Sequence, residues 1–323
     1  MPICRRQALP KCPGRAGYLT NVSFLKHTKR SAVYWLVKTV ARLFNTLPRR
    51  VAVYLGGWLG LAAWRLSAKD RYKTVRHLTL VYEDRITRRE KLRIGRQFFI
   101  NSGKNAADVL RFKDHFAREV KPLIEVEGME HFETAYRRGK GTLGVTGHIG
   151  NFELLAAYIQ SQGYEVAVIG RELYDPRLDR MLIENRTSVG LTNIATTESP
   201  KRLLSWLKDG KVVGVLIDTD SHRVRGEFVP AFGRWSYTPV GQTILGLRTG
   251  AAFVPIACLR TPGDRYRVVV KPEIQVAASG DFDTDVYNIT LGCTQALEEI
   301  IREYPDQWPW QHNRWRTRRI GPA

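Results

Sequence analysis

His148 and Glu153 lie five residues apart in the segment GTLGVTGHIGNFELLAAYIQSQGY, residues 141–164. An apolar run ends at Gly147-His148, a Gly150-Asn151 turn follows, and the pattern from Phe152 onward is helical. This places His148 at the carboxyl end of a strand, where open α/β sheets gather their ligand sites, and Glu153 in the first turn of the next helix. On one continuous helix, residues five apart point about 140° away from each other. Glycines at 147 and 150 let the loop fold His148 back towards Glu153. An imidazole oriented by a carboxylate is a general base. The segment places no serine or cysteine as a nucleophile, so the pair predicts direct removal of a proton from a substrate hydroxyl, which then attacks a thioester. The plain alternative is a strand-end histidine and a helix-start glutamate favoured by the helix dipole. A lone histidine–glutamate spacing does not decide between them.

The elements around this pair suggest an α/β protein: a mixed sheet flanked by helices, with an N-terminal helical region that associates with a membrane. Residues 1–30 show no period and read as a basic leader. Residues 31–118 read as helical and residues 119–323 as the α/β domain. Val33, Leu36, Val37, Val40, Leu43, Phe44 and Leu47 recur at helical steps until Pro48 interrupts them. Residues 51–64, VAVYLGGWLGLAAW, are uncharged and fenced by Arg50 and Arg65. As a helix they span roughly 21 Å, short of the ~30 Å hydrocarbon core, so they suit the bilayer interface or a buried hairpin better than a full crossing. Strands are expected over 142–146, 165–169, 212–217, 253–259 and 266–270, the last two paired antiparallel through TPGD. Helices are expected to begin near Asn151, Pro176, Ser199, Val240 and Asp283.

Charge is unevenly placed. The chain of 323 residues carries 51 Lys and Arg against 31 Asp and Glu, and no acid precedes Asp70, whereas thirteen basic residues do. Such a surface attracts an anionic bilayer, an acidic protein or nucleic acid. No nucleic-acid module accompanies it, and the acid-free region is interleaved with apolar sequence, which disfavours a nucleic-acid partner. The four cysteines are scattered with no CxxC pair, which suits a reducing compartment and gives no metal framework.

The segment from His148 to Glu153 resembles the HxxxxD/E motif of the bacterial lipid A biosynthesis late acyltransferases, the lauroyl and myristoyl transferase family. The resemblance runs over about residues 35–318. Arg171 with Asp175-Pro176-Arg177-Leu178-Asp179 is similar to that family's Arg and Asn-Pro-x-x-Asp. Arg186 matches a basic position, Asp218-Thr219-Asp220 its Asp-Gln-Asp, and Phe228 to Gly233 its Phe-x-Pro-x-Phe-Gly. The stretch from Gln307 to Trp315 resembles its Gln-Tyr/Trp-x-Trp-x-His-Arg-Arg-Trp ending. Asp175, Thr219 and Asn313 depart from the pattern.

The resemblance implies His148 and Glu153 as catalytic, and Gly147, Asn151, Arg171, Arg186, Asp218 and Asp220 as substrate-binding. It implies no cofactor and no metal. Acyl carrier protein is implied as the donor, an anionic lipid as the acceptor, and the cytoplasmic face of the bacterial inner membrane as the place. Charge suggests that Arg171 faces an acceptor phosphate or an oxyanion. Asp218 and Asp220, alternating on a strand, would share a face, with Arg223, Arg225 and Arg234 as ion-pair partners. Trp308, Trp310 and Trp315 are expected to pack, leaving Arg314, Arg316, Arg318 and Arg319 as a basic rim. The departures leave a lysophospholipid, another glycolipid or an ornithine lipid as alternative acceptors.

Overall fold

The computed structural model describes residues 15–319 apart from Ser199 and Arg223, with side chains described at Thr28 and from Arg30 onward. The first half of the expected leader therefore lies outside the described residues.

Five helices come first: α1 (Arg15–Thr46), α2 (Arg49–Leu66), α3 (Ala68–Tyr82), α4 (Arg88–Val109) and the single turn α5 (Phe112–His115). Helix α1 starts at Arg15 rather than at residue 31. Pro13 is the last helix breaker before Pro48, and nothing between them stops the backbone although no apolar stripe marks its first turns. Helix α4 begins on a reciprocal cap in which Thr87 accepts from the Glu90 N–H while Glu90 accepts from the Thr87 N–H.

The rest alternates strands and helices: β1 (Ile124–Glu127), α6 (Met129–Arg137), β2 (Thr142–Thr146), α7 (Phe152–Ser161), β3 (Val166–Gly170), α8 (Pro176–Thr187), β4 (Thr192–Ala195), α9 (Pro200–Lys208) and β5 (Val212–Leu216). A hairpin of β6 (Gly226–Ala231) and β7 (Arg234–Pro239) follows, then α10 (Gly241–Thr249), β8 (Ala252–Thr261), β9 (Arg265–Val270) and α11 (Phe282–Glu303). Seven strands form one sheet in the order β1-β9-β8-β2-β5-β3-β4. From β8 to β4 the neighbours are parallel, and β9 runs antiparallel to β8. The expected mixed α/β sheet and its late antiparallel pair are observed. The short strands β1 and β4 and the separate hairpin were not anticipated, because IEVE and TNIA are too brief and polar to read as strands alone.

Strand periodicity divides the core. Leu143, Val145, Val213 and Val215 face one side with Ile289, Leu297, Trp308 and Trp310. Val212, Val254, Ile256 and Tyr266 face the other with Leu154, Leu155 and Ile159 of α7.

The apolar helix α2 is buried on one face only. Ala52, Val53, Gly56, Gly57, Gly60, Leu61 and Trp64 are buried, whereas Tyr54, Trp58 and Leu59 are more than half exposed. The buried face packs on α4 so closely that a Cβ on Gly60 would lie 2.0 Å from the Phe99 carbonyl oxygen, and one on Gly103 2.0 Å from that of Gly56. Among the described residues no helix is long and apolar enough to cross a membrane.

Helix α4 is tied to the sheet by a buried polar network. Asp108, wholly buried, accepts from Arg49 Nε at 2.8 Å, from Arg260 Nη2 at 3.0 Å and from the Tyr266 hydroxyl at 2.7 Å. Each charge taken out of water is thereby paired and hydrogen-bonded, the condition under which burial is tolerated.

Candidate active site

Strands β2 and β5 are in register, Thr146 opposite Leu216. Two residues beyond each strand end, this register sets His148 beside Asp218. His148 Nδ1 lies 2.8 Å from Asp218 Oδ1, and the His148 backbone N–H donates to Oδ2 at 2.8 Å. Trp308 Nε1 also donates to Oδ2 at 2.8 Å. Two glycines make the approach feasible. A Cβ on Gly147 would lie 2.9 Å from the Asp218 carboxyl carbon, and Gly150 adopts φ +59 with the Cys258 carbonyl oxygen 2.0 Å from where its Cβ would be.

The carboxylate on the histidine ring is therefore Asp218, not Glu153. Glu153 is clamped by Arg186, whose Nε donates to Oε2 at 3.0 Å and whose Nη2 donates to Oε1, and Arg186 Nη1 donates to Asn193. Glu153 acts on His148 through its charge alone. Burial pushes the His148 pKa down, but the Asp218 hydrogen bond and the charges of Asp218 and Glu153 outweigh it and hold it above the usual 6.5. Burial pushes the Asp218 carboxyl up, and the hydrogen bonds from His148 and Trp308 win, keeping it well below the usual range.

With Asp218 ionised, Nδ1 carries the proton and Nε2 is the basic nitrogen. Among the described residues Nε2 has no hydrogen-bond partner. His148, Asp218 and His312 each place a ligand-type atom within 4.8 Å of the others. Both Asp218 oxygens accept N–H donors, Oδ1 from the His148 ring and Oδ2 from the His148 backbone and Trp308.

His148 opens onto a groove of about 970 Å³. Its floor is apolar, with Leu143, Leu207, Val213, Val215 and Ile244, and its walls carry Arg171, Arg248, Arg316 and Asp220. A narrower apolar slot lies on the opposite face of the sheet, between the strands and α7, lined by Phe152, Leu155, Ala156, Ile159 and Val168. Paired Gly144 and Gly214 form part of its floor, where a Cβ would have no atom nearer than 3.6 Å. Ile169 and Leu216 border both spaces at the strand ends.

The other expected site residues divide. Arg171 lines the groove. Asp220 also borders it but holds the C-terminal segment, accepting from the Thr317 N–H and hydroxyl at 2.6 Å. Three others make contacts within the protein, and of these Arg186 also lines the slot. Gly147 packs on Asp218. Asn151 is buried and committed to α7, its Oδ1 accepting from the Leu154 N–H and its Nδ2 donating to the Tyr266 hydroxyl. Arg186 holds Glu153.

Asp218 and Asp220 lie beyond the end of β5 and do not share a strand face. Arg225 pairs with Asp283 and Arg234 donates to the Leu80 carbonyl, so neither neutralises them; Arg223 lies outside the described residues. Trp308 and Trp310 are fully buried as expected, but Arg314 is not part of a rim. It is buried, donating to the Tyr237 carbonyl and the Thr238 hydroxyl, and burial lowers its pKa to about 10. His312, quoted in the sequence only within an aromatic-basic ending, stands beside His148 with ring centroids 5.1 Å apart.

The sequence profile of the bacterial lipid A biosynthesis acyltransferases matches residues 22–317. The chain belongs to that family. It is similar to the lipid A biosynthesis lauroyltransferase of Escherichia coli, 28% identical over 290 residues covering 89% of this chain and 92% of that one. The myristoyltransferase of the same organism is 21% identical over 265 residues, 81% and 80% of the two chains. A phosphatidylinositol mannoside acyltransferase of Mycolicibacterium smegmatis is 26% identical over 196 residues, 59% of this chain, and the match spans 62% of that relative's length. This member of the lipid A acyltransferase family is an acyltransferase.

With His148 as the base, its raised pKa would set the pH dependence of acyl transfer. The base must be unprotonated, so the acid limb of kcat/KM should have its midpoint above pH 6.5. Glu153→Gln removes a charge that raises this pKa and should move the midpoint down. A pH–rate profile with an unmoved limb would show that Glu153 does not act on His148.

Proposed function

We propose that the protein moves a fatty acyl chain from an acyl carrier protein thioester to a hydroxyl of a lipid A precursor or related anionic lipid, working on the cytoplasmic face of the bacterial inner membrane. His148 Nε2 removes the hydroxyl proton while Asp218 holds the tautomer and steadies the imidazolium. The hydroxyl oxygen attacks the thioester carbonyl, the tetrahedral intermediate collapses, and the departing thiolate takes the proton back from His148. Glu153, fixed by Arg186, adds negative charge that favours the imidazolium. The observation that carries this reading is the Asp218–His148 pair with a free Nε2 at the mouth of an apolar-floored groove.

The slot beneath α7 suits the acyl chain, and the larger basic groove suits an anionic acceptor. Arg171 follows β3, two strand spacings or about 10 Å from β2 in the sheet, which fits a headgroup phosphate better than the reacting oxygen. The mannoside acyltransferase relative, together with Asp175 and Thr219, supports a second reading in which the acceptor is another glycolipid. Acyl transfer from carrier-protein thioesters to an under-acylated lipid A precursor tests the first. His148→Ala should lower it about a hundredfold or more. Undiminished transfer by that variant would overturn the mechanism, and wild-type transfer only to a different glycolipid would establish the second reading.

The exposed apolar side of α1 and α2 supports a bilayer contact. Trp35, Leu36, Tyr54, Trp58 and Leu59 are all more than half exposed, on helices with many basic residues and no acids. Replacing Trp58 and Leu59 by Ser should weaken co-sedimentation with anionic vesicles by about tenfold or more, from the apolar area lost. Unchanged binding would place the membrane face elsewhere.

A further inference from the structure

We infer that His312 is a second catalytic group, donating an N–H to the oxygen of the tetrahedral intermediate formed beside His148. This rests on the acyl-transfer reading and adds to it the oxyanion donor that the mechanism above lacks. One His312 nitrogen lies within 4.8 Å of a His148 ring nitrogen and of an Asp218 oxygen, which sets the two imidazoles side by side at the strand end. The two rings meet edge to face at 79°, and Phe152 packs edge to face on His148 with centroids 5.3 Å apart.

The segment carrying His312 is held in place on both sides. Trp308 donates to Asp218, the His312 N–H donates to the Pro309 carbonyl at 2.9 Å, and Thr317 donates to Asp220. Yet among the described residues His312 Nδ1 is buried with no hydrogen-bond partner. A buried, uncommitted ring nitrogen costs stability, which invites a functional explanation at this position. Three nearby arginines are otherwise engaged: Arg186 with Glu153 and Asn193, Arg314 with Tyr237 and Thr238, and Arg316 with His222.

Charge bookkeeping agrees with this role. Burial lowers the His312 pKa, Asp218 raises it, and the charges of His148 and Lys73 lower it further, leaving it below 6.5. His312 is thus neutral when His148 becomes cationic, and a neutral imidazole still offers one N–H. In the step itself the acceptor proton passes to His148 and the carbonyl pair moves onto the oxygen. His312 holds that oxygen without giving up its proton, and the pair returns as the thiolate leaves.

Steady-state kinetics of His312→Phe and His312→Gln test this, with thermal unfolding of each variant in detergent. Loss of one oxyanion donor costs on the order of 10²–10³ in kcat. His312→Phe should show that loss with both KM values unchanged, and His312→Gln, which keeps an N–H, should recover about tenfold. The acid limb of the pH profile should persist because it belongs to His148. A wild-type rate in His312→Phe would overturn the assignment, as would a raised acceptor KM with kcat intact, or equal losses in both variants tracking a lowered Tm. His148→Ala is run alongside. His148-dependent transfer that ignores His312 removes this inference alone; no transfer by the wild type removes the acyl-transfer reading and this inference with it.

Discussion

Asp218→Asn should cripple acyl transfer on the same scale as losing His148, by about a hundredfold or more in kcat. The reason lies in the donors around the carboxylate. Oδ2 accepts from the His148 backbone N–H and from Trp308, so the amide oxygen of an asparagine must take that place. Its NH₂ then faces His148 Nδ1, where Oδ1 was. Nδ1 becomes the acceptor, the proton moves to Nε2, and the nitrogen facing the groove is no longer a base. The fold should tolerate the change, since the backbone and indole bonds survive. Single-turnover transfer by the variant, with thermal unfolding as the control, checks this. More than a tenth of wild-type activity would show that Asp218 does not set the tautomer.

The same geometry explains what could be read from the chain and what could not. His148 was legible because an apolar run ends at a glycine just before it. Its partner was assigned to Glu153 because the two are near in sequence, whereas the true hydrogen bond spans 70 residues. Sequence gives strands but not their neighbours, and only the pairing of β2 with β5 shows that 148 and 218 are matched positions. Asn151 and Arg186 are family-motif positions whose side chains turn inward, to a helix cap and to Glu153, a distinction that motif spacing does not encode. His312 was hidden among tryptophans that do pack in the core. The mixed sheet, by contrast, was visible in five apolar strand runs and the TPGD turn. The apolar stretch 51–64 was visible too, but its glycines were not recognised as the contact surface for α4.

Asp108→Ala should be the most damaging substitution outside the groove, costing about 3–5 kcal/mol. Asp108 is fully buried and faces Arg260, itself almost fully buried, as well as Arg49 and the Tyr266 hydroxyl. Removing it leaves a desolvated guanidinium whose remaining counter-charge is the partly exposed Asp264, beside the neutral Asn105 and Tyr266. The loss should appear in denaturant unfolding as an early transition, because Asp108 joins α4 to β8 and β9. A single transition at the wild-type midpoint would show that the network contributes little. Replacing Asp108, Arg49, Arg260 and Tyr266 together by apolar residues should be milder than the single change, since no buried guanidinium is stranded.

The segment from Trp308 to Thr317 touches Asp218, His148 and Asp220, all contributed by strands and loops at least 88 residues earlier in the chain. A polypeptide still being synthesised can build its parallel strands and set His148 near Asp218, yet it lacks the indole that fixes the carboxylate and the imidazole beside the base. On the proposed mechanism, competence therefore waits for this segment to settle after the strands that carry His148 and Asp218 have paired. Loss of this stretch would strip the indole from Asp218 and two fully buried tryptophans from the core on that face of the sheet.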